Sequence, residues 1–368
     1  MYEDFAPRLA KVITEYSAPI RKGDFVVISG SIAAAPLIEA LYQAVLQRGG
    51  YPLTMVYLPG LTELRLRIAN NEQLAFEDPL AKLIVEKADV ILDIEAPINT
   101  KALSDTDPAK LAIIQKANSP RLETHLARIA DGSLRWCYMP WPTDAAAQQS
   151  ELGIHAYREF VYRACGLDRE DPVAYWQGFK ERQLRLVEYL KDKNEARIEG
   201  PGIELSFRFQ DRVWVSAHGD LNFPDGEIFT GPVEDSVEGS VAFNLRSVLY
   251  GRETAGVKLR FESGRVVEAS AEKGQDFLLT QLDLDEGARR LGEVAIGTNW
   301  GVDRITGSTL FDEKIGGSLH MALGRSIPET LGVNQSQMHW DMVHDMRAGG
   351  KIWIDGVLFY DSGRFLIE

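Results

Sequence analysis

The sequence predicts a mixed α/β protein in two parts: an N-terminal open α/β sheet domain over residues 1–195, and a β-rich α+β C-terminal domain over residues 196–368. Short apolar runs alternate with amphipathic stretches in the first part, as in a sheet covered by helices. Alternating apolar and polar residues separated by tight-turn dipeptides dominate the second part. A chain of 368 residues also exceeds one ordinary hydrophobic core, so two domains are expected.

In the first part, helices and apolar strands follow one another in the order that is typical of a parallel sheet. Residues 2–17 carry apolar side chains at helical spacing, and residues 23–60 are predicted to form a strand, a helix and a second strand. A helical stretch at about 62–87 and two further strands, in ADVILDIEA and LRWCYMP, extend the pattern. The turn after the first strand, ISGSIAAAP, lacks the G-x-G-x-x-G spacing, so we do not expect a dinucleotide site there.

The second part is predicted to follow a long amphipathic helix over residues 170–193. Apolar and polar residues alternate in ARIEGPGIELSFRF and VWVSA, as they do in antiparallel strands with one buried face. A hairpin is expected in VKLRFESGRVVEASA, and two more turn-separated strands in KIWIDGVLFYDSGRFLIE. This change of pattern places the predicted boundary near residue 195.

Composition and charge argue against several classes of function. The formal net charge is −14 and the basic residues form no stripe, so nucleic acid is not an expected partner. No apolar run approaches the ~20 residues that cross a bilayer, and the acidic, amphipathic N-terminus is unlike a signal peptide. Two cysteines, Cys137 and Cys165, are too few for a disulfide scaffold and fit a reducing cytoplasm.

Residues 310–345 hold three of the six histidines, His320, His339 and His344. His339 forms an H-x-D pair with Asp341, and residues two apart in a strand point to the same face. Imidazole and carboxylate together suit divalent transition metals, so the pair indicates a metal site. For a histidine among apolar residues, such as His320, a hydrogen bond to a backbone carbonyl is the ordinary alternative.

Two glutamates lie in unusual settings for a charged side chain. Glu227 follows a Pro-Asp-Gly turn and leads into apolar residues, and Glu293 is the one charge in LGEVAIGTN. Burial of a lone carboxylate is costly unless it is paired or binds a metal. The ordinary alternatives are an exposed turn acid for Glu227 and a helix-end acid for Glu293. With His320, His339 and Asp341, the two glutamates would supply enough donors for two divalent ions.

All five candidate residues lie in four ordered motifs, GEIFTGPVEDSVEG, LGEVAIGTN, LFDEKIGGSLHMALG and QSQMHWDMV. With AKVITEYSAPIRKGDFVVISG near the N-terminus, these motifs make the chain resemble the aminopeptidase T family of metal-dependent aminopeptidases over nearly its whole length. The resemblance implies an α/β N-terminal domain and a C-terminal domain that carries the metals. It also implies a homodimer with an enclosed active-site cavity.

The resemblance further implies a ligand set and a reaction. The family's metal ligands would correspond to Glu227, Glu293, His320, His339 and Asp341. They would hold two divalent ions, whose identity stays open among zinc, cobalt, manganese and magnesium. The implied reaction is the removal of N-terminal residues from short peptides by water that the two metals activate. A carboxylate must carry a proton to the leaving amine, and we expect Glu293 to do so.

One position departs from the family pattern. After H-x-A-L-G, family members commonly have a tyrosine near the metals, whereas RSIP places Ile327 there. An isoleucine cannot donate a hydrogen bond to the oxyanion that develops on the attacked carbonyl. Either the metals would carry that charge alone, or Arg325 or Ser326 would have taken over. The ordinary alternative for Arg325 is a solvated surface side chain.

Two other functions stay open at the level of the sequence. His320, His339 and Asp341 by themselves match the two-histidine, one-carboxylate triad of mononuclear non-haem iron enzymes, including a ring-cleaving dihydroxypyridine dioxygenase. Such a triad needs no further acids, so Glu227 and Glu293 favour the peptidase. A non-catalytic metal-binding protein is the remaining alternative, because the expected tyrosine is absent.

Overall fold

The computed structural model describes residues 4–367, in two compact units. The first unit comprises Met1–Trp176 with Gly219–Phe223, and the second comprises Gln177–His218 with Pro224–Glu368. The division falls within a long helix. Residue 195, where the sequence pattern changes, therefore lies inside the second unit, just after that helix ends.

The first unit is built on a parallel sheet. Its strands are β1 Phe25–Ser31, β2 Tyr51–Tyr57, β3 Val90–Glu95 and β4 Arg135–Pro140. They lie in the order β2-β1-β3-β4, and each neighbouring pair is parallel. The strands predicted from the apolar runs are thus all present. The central strands β1 and β3 are largely buried because helices cover the sheet, whereas the edge strand β2 is largely exposed.

Helices connect and flank these strands: α1 Phe5–Val12, α2 Ala35–Gln47, α3 Leu61–Ile68, α4 Asn71–Leu74, α5 Pro79–Lys87, α6 Pro108–Ala130, α7 Asp144–Gln149 and α8 Ile154–Ala164. A π-helical turn continues α1 to Ser17, so the predicted first helix ends where the pattern places it. The 23-residue α6 is not anticipated by the apolar periodicity, because none of its residues is fully buried. The start of α6 does carry the usual sequence signals of a helix N-terminus, because Asp107 caps the helix and Pro108 is its first residue.

The second unit is dominated by strands, after the helix α9 Pro172–Leu190. The strands are β5 Glu195–Gly200, β6 Ile203–Arg208, β7 Val215–Ala217, β8 Glu227–Thr230, β9 Glu238–Ala242, β10 Ser247–Leu249, β11 Arg252–Thr254, β12 Lys258–Glu262, β13 Arg265–Ser270, β14 Leu291–Gly297, β15 Ser318–Gly324, β16 His339–Asp345, β17 Lys351–Ile354, β18 Val357–Asp361 and β19 Arg364–Phe365. Two short helices, α10 Gln275–Leu282 and α11 Thr309–Asp312, interrupt them.

These strands form two large antiparallel sheets. One has the order β13-β12-β9-β6-β5-β17-β18-β19 and the other β16-β15-β14-β8-β7, while β10 and β11 pair separately. A single hydrophobic core takes Leu205 and Leu259 from the eight-stranded sheet and Val294, Met321 and Trp340 from the five-stranded sheet. The mixed α/β fold with a parallel sheet and large antiparallel sheets is confirmed. Within the described residues, no helix is both long enough and apolar enough to span a bilayer.

Candidate metal centre

Four neighbouring strands of the five-stranded sheet carry the candidate residues. Glu227 begins β8, Glu293 lies in β14, His320 in β15, and His339 and Asp341 in β16. Successive side chains of a strand point to opposite faces. The hydrophobic neighbours of the candidate residues belong to the core, so the candidates themselves share the other face. The extended geometry predicted for the H-x-D pair is present.

The strand register leaves space between the acidic side chains. Glu293 is aligned with Ala322, which is aligned in turn with Asp341 on the next strand, and His320 is aligned with Ala295. Side chains in opposed positions lie within about 5 Å of one another. Both alanines are fully buried. A longer side chain at either position would occupy the space that the carboxylates and imidazoles now share.

The donor atoms form two groups that share Glu293. In the Glu227 group (Glu227, Glu293, His320), Nε2 of His320 lies 3.4 Å from Oε2 of Glu227 and 3.5 Å from Oε1 of Glu293. In the Asp341 group (Glu293, His339, Asp341), Nε2 of His339 lies 3.2 Å from Oε2 of Glu293 and 3.4 Å from Oδ1 of Asp341. The donors within each group all lie within 4.8 Å of one another. Glu293 therefore offers one oxygen to each group.

The second ring nitrogen of each histidine is held by a backbone carbonyl. Nδ1 of His320 donates to the carbonyl oxygen of Glu313 at 3.2 Å, and Nδ1 of His339 donates to that of Arg325 at 2.7 Å. A carbonyl only accepts, so Nδ1 carries a proton and Nε2 is directed at the carboxylates. Metal-binding histidines are commonly oriented in this way. The backbone hydrogen bond that is the ordinary alternative for a buried His320 is thus present. It involves only Nδ1, so Nε2 is left to face the carboxylates.

The donor set fits divalent metal ions. Oε2 of Glu227 and Oδ1 of Asp341 are buried and accept no hydrogen bond of good geometry from the described residues, although an imidazole Nε2 lies 3.4 Å from each. Only 7% of the Glu227 side chain and 11% of the Asp341 side chain is exposed. A buried carboxylate oxygen without a partner costs free energy unless a cation binds it. Each donor group contains one such oxygen, and both groups combine imidazole with carboxylate, two ligand types that zinc and related ions accept.

Burial lowers the pKa of both imidazoles, but the neighbouring carboxylates outweigh it. Glu227 and Glu293 together raise the pKa of His320 to about 9. Asp341 and Glu293 raise the pKa of His339 to about 12. Without metal, both rings therefore carry a second proton at neutral pH, and a metal ion must displace that proton to bind Nε2.

The three carboxylates differ in pKa. Burial raises the pKa of Glu227 to about 7, against the opposing charges of Lys314 and His320. Burial acts in the same direction on Glu293 and Asp341, but their contacts with the two imidazoles outweigh it and hold each pKa below its ordinary value. Glu293 and Asp341 are therefore ionised at neutral pH, as metal ligands must be.

A buried lysine that the sequence pattern does not predict borders the Glu227 group. Nζ of Lys314 contacts Oε1 of Glu227, and it lies 2.9 Å from Oε2 of Glu313 and 3.5 Å from Oδ1 of Asp225. Only 1% of the lysine side chain is exposed. Burial raises the pKa of Glu313 to about 8. The one signal in the sequence is the position of Lys314 directly before the small and apolar run IGGSLHMALG.

The remaining predicted positions lie after β15 or outside both groups. The Arg325 side chain is exposed, Ile327 is half-buried, and Ser326 is buried with no hydrogen-bond partner for Oγ among the described residues. Arg325 reaches the site through its backbone carbonyl, which accepts from His339. A role for these side chains at the oxyanion stays a prediction. His344 is buried in β16, where burial lowers its pKa, and belongs to neither group.

The structure decides between the two interpretations of each glutamate. Glu227 is 5% exposed at the start of a strand, and Glu293 is 3% exposed in the middle of one. Neither is the exposed turn acid or helix-end acid of the ordinary alternative. Among the described residues, His320, His339 and Asp341 do not by themselves form a donor group of this kind, because both groups that the structure brings together include Glu293.

Comparison with known proteins identifies the family of this chain and solved structures with a similar fold. The family model described as thermophilic metalloprotease (M29) matches residues 3–365. The chain is 29% identical to aminopeptidase 2 of Geobacillus stearothermophilus, over 97% of this chain and 94% of that relative.

Among solved structures, wild-type AmpT from Thermus thermophilus superposes with a TM-score of 0.87 at 25% identity, covering 100% of both chains. The 2,5-dihydroxypyridine dioxygenase from Pseudomonas putida KT2440 superposes with a TM-score of 0.61 at 14% identity, covering 99% of this chain and 97% of that one. This second likeness concerns the fold alone.

Proposed function

Because this chain belongs to the thermophilic metalloprotease family M29, we propose that it is a metal-dependent aminopeptidase that removes N-terminal residues from short peptides. The resemblance to the aminopeptidase T family, drawn from the four motifs, agrees with that membership. The observation that carries the proposal is the placement of Glu293, whose two oxygens lie beside two different imidazoles. A carboxylate so placed can bridge two metal ions.

The five donors divide between two ions in this proposal. The Glu227 group holds one ion, the Asp341 group holds the other, and Glu293 serves both. When bound, a pair of ions polarises the substrate carbonyl and lowers the pKa of the attacking water. Imidazole and carboxylate donors favour zinc, cobalt or manganese over magnesium, which prefers oxygen ligands alone.

The protein's own groups would position the substrate and move its proton. His339 is the most accessible donor, with 21% of its side chain exposed against 1% for His320. A peptide therefore reaches the site from the Asp341 group. Glu293 lies between the two groups, and with an oxygen that is not bound to metal it is the carboxylate that we assign to carry a proton from water to the leaving amine. A Glu293 bound through both oxygens would be a ligand only, and the base would then be another group.

Two further features belong to the proposal. We expect a homodimer, which the exposed apolar edge strand β2 supports, since Tyr51, Val56 and Tyr57 are 68%, 46% and 51% exposed. Light scattering of the purified protein measures this state directly. A cytoplasmic location is supported by the small number of cysteines, since the chain has only two, Cys137 and Cys165, and both are buried.

Metal analysis combined with substrate assays tests the proposed function. We expect two divalent ions per chain and hydrolysis of dipeptides and aminoacyl arylamides. Chelation should abolish activity, and the same metal should restore it. N-acetylated versions of the same substrates provide the control, since an aminopeptidase requires a free N-terminus.

The same preparation distinguishes the alternatives. One iron per chain, with oxygen consumed on a dihydroxylated aromatic ring, would support the oxygenase. Two bound ions without turnover of any free or blocked peptide would support a non-catalytic metal-binding protein. Cleavage of acetylated peptides would indicate a different peptidase specificity.

A further inference from the structure

The two donor groups differ in their electrostatic surroundings. The Glu227 group has the ammonium of Lys314 in contact with one of its carboxylates. By contrast, among the residues that the structure describes, the ion-pair partners of Asp341 are the two imidazoles of the site. Lys314 is enclosed by acidic side chains, because only 1% of its side chain is exposed and its ammonium also lies near carboxylate oxygens of Glu313 and Asp225.

The contact involves only one oxygen of Glu227. Lys314 binds Oε1, while Oε2 faces Nε2 of His320 at 3.4 Å and accepts no hydrogen bond of good geometry from the described residues. Glu227 can therefore bind a metal through Oε2 while it keeps the lysine on Oε1. A metal there and the ammonium would be two positive charges separated by a single carboxylate. Water screens this repulsion little, because both side chains are buried.

We propose that Lys314 weakens divalent-metal binding at the Glu227 group, so that the two sites fill in order. The Asp341 group fills first and holds its ion tightly, and the Glu227 group fills second with an exchangeable ion. This inference rests on the proposed function, because it takes the five donors to be metal ligands. It goes further in assigning unequal affinities and a residue that causes them.

Lys314 also has an opposing effect, because it holds Glu227 in place. Loss of an orienting hydrogen bond would weaken metal binding, whereas loss of the positive charge would strengthen it. A hydrogen bond to a charged group contributes modestly, while repulsion between an ammonium and a divalent ion across one buried carboxylate is larger. The charge therefore decides the direction.

Zinc titration of the chelator-stripped full-length protein tests the order of filling. Calorimetry of the wild type should show two steps of unequal affinity. Lys314→Met and Lys314→Gln both remove the charge, and each should tighten the weaker step by at least about tenfold. The tighter step should change far less. His339→Ala should remove the tighter step, which assigns that step to the Asp341 group.

A surface lysine supplies the matched control. Nζ of Lys273 lies 2.8 Å from Oε1 of Glu253, but 62% of its side chain is exposed. Lys273→Met breaks an exposed lysine–glutamate pair that includes none of the five candidate ligands, and it should leave both zinc steps unchanged. Circular dichroism of each variant establishes that the protein is folded. Lys314→Gln keeps a hydrogen-bond donor. If Lys314→Met does not fold, the zinc titration of Lys314→Gln alone tests the inference.

The possible outcomes separate this inference from the proposed function. Two equal steps in the wild type, or weaker zinc binding in both Lys314 variants, would overturn the inference alone. Weaker binding in Lys314→Met with normal binding in Lys314→Gln would also overturn it, and would make Lys314 a positioning residue for Glu227. A wild type that binds no zinc would overturn the proposed function, and this inference with it.

Discussion

At the residue scale, Glu293 is the side chain on which both donor groups depend. Replacing it by glutamine keeps the shape but removes the negative charge from both groups. We expect Glu293→Gln to lower turnover by at least ~100-fold. We also expect it to lower metal content, because both oxygens of Glu293 face an imidazole. Metal analysis and peptide hydrolysis on the same sample measure the two effects.

Glu286→Gln, at an exposed glutamate of the same unit, is the control and should be neutral. Normal metal content with reduced turnover in Glu293→Gln would make Glu293 purely the base. Normal turnover in a fully metallated Glu293→Gln would remove Glu293 from the mechanism.

The raised pKa of the two imidazoles predicts that metal binding releases protons. The metal-free pKa is about 9 for His320 and about 12 for His339, so at pH 7 both rings are charged. A metal ion on Nε2 replaces one proton on each ring. Binding should therefore strengthen as the pH rises and weaken as it falls. Calorimetry of zinc binding in buffers of different ionisation enthalpy counts these protons.

The variant His339→Ala should release about one proton fewer than the wild type, because it lacks one of the two rings. Zinc binding that is independent of buffer ionisation in both proteins would mean that the rings are already neutral without metal.

At the element scale, the pairing of β14 with β15 contains an irregularity at Gly292, directly before Glu293. The register shifts between Leu291 and Glu293. A Cβ on Gly292 would lie 2.4 Å from the carbonyl oxygen of Arg325, which accepts the hydrogen bond that orients His339. Gly292→Ala must therefore displace this backbone. We expect a loss of stability of about 1–3 kcal/mol together with weaker metal binding at the Asp341 group, measured by denaturant unfolding and zinc titration.

The matched control for this substitution is Gly153→Ala. A Cβ on Gly153 meets nothing within 4 Å, and its φ of −73° suits any residue. Gly153 is the N-cap of α8, where alanine is a poorer cap than glycine, so Gly153→Ala should cost up to about 1 kcal/mol but should leave zinc binding intact. Equal effects of the two substitutions would mean that the strand irregularity is unrelated to the orientation of His339.

At the scale of the whole molecule, all five donors lie in the second compact unit. A ligand that binds only the folded state stabilises it by mass action, by about 2.7 kcal/mol when its free concentration is 100 times Kd. We therefore expect zinc to raise the unfolding temperature of this unit progressively with concentration. Calorimetric scans of the stripped protein measure the shift, which should be smaller in His339→Ala. An unfolding transition that does not respond to zinc would contradict a folded metal site.

Much of the fold follows from local sequence. The strands β1 to β4 and the hairpin of β12 and β13 are predicted by apolar runs, alternation and turn residues, because these features depend on the nearest neighbours. The helix α6 is not predicted, since its lack of fully buried residues weakens the apolar pattern. The division between the units is also not visible locally, because it falls inside a continuous helix.

For the site, the sequence alone determined the five donor candidates and the shared face of His339 and Asp341, since alternation along one strand needs no tertiary information. Only the tertiary structure decided that Glu293 serves two groups, because that depends on the register between neighbouring strands. It also decided that Lys314 contacts Glu227, a residue 87 positions away. A buried charge can be suspected from its neighbours in sequence, but its partner is set by how distant strands align.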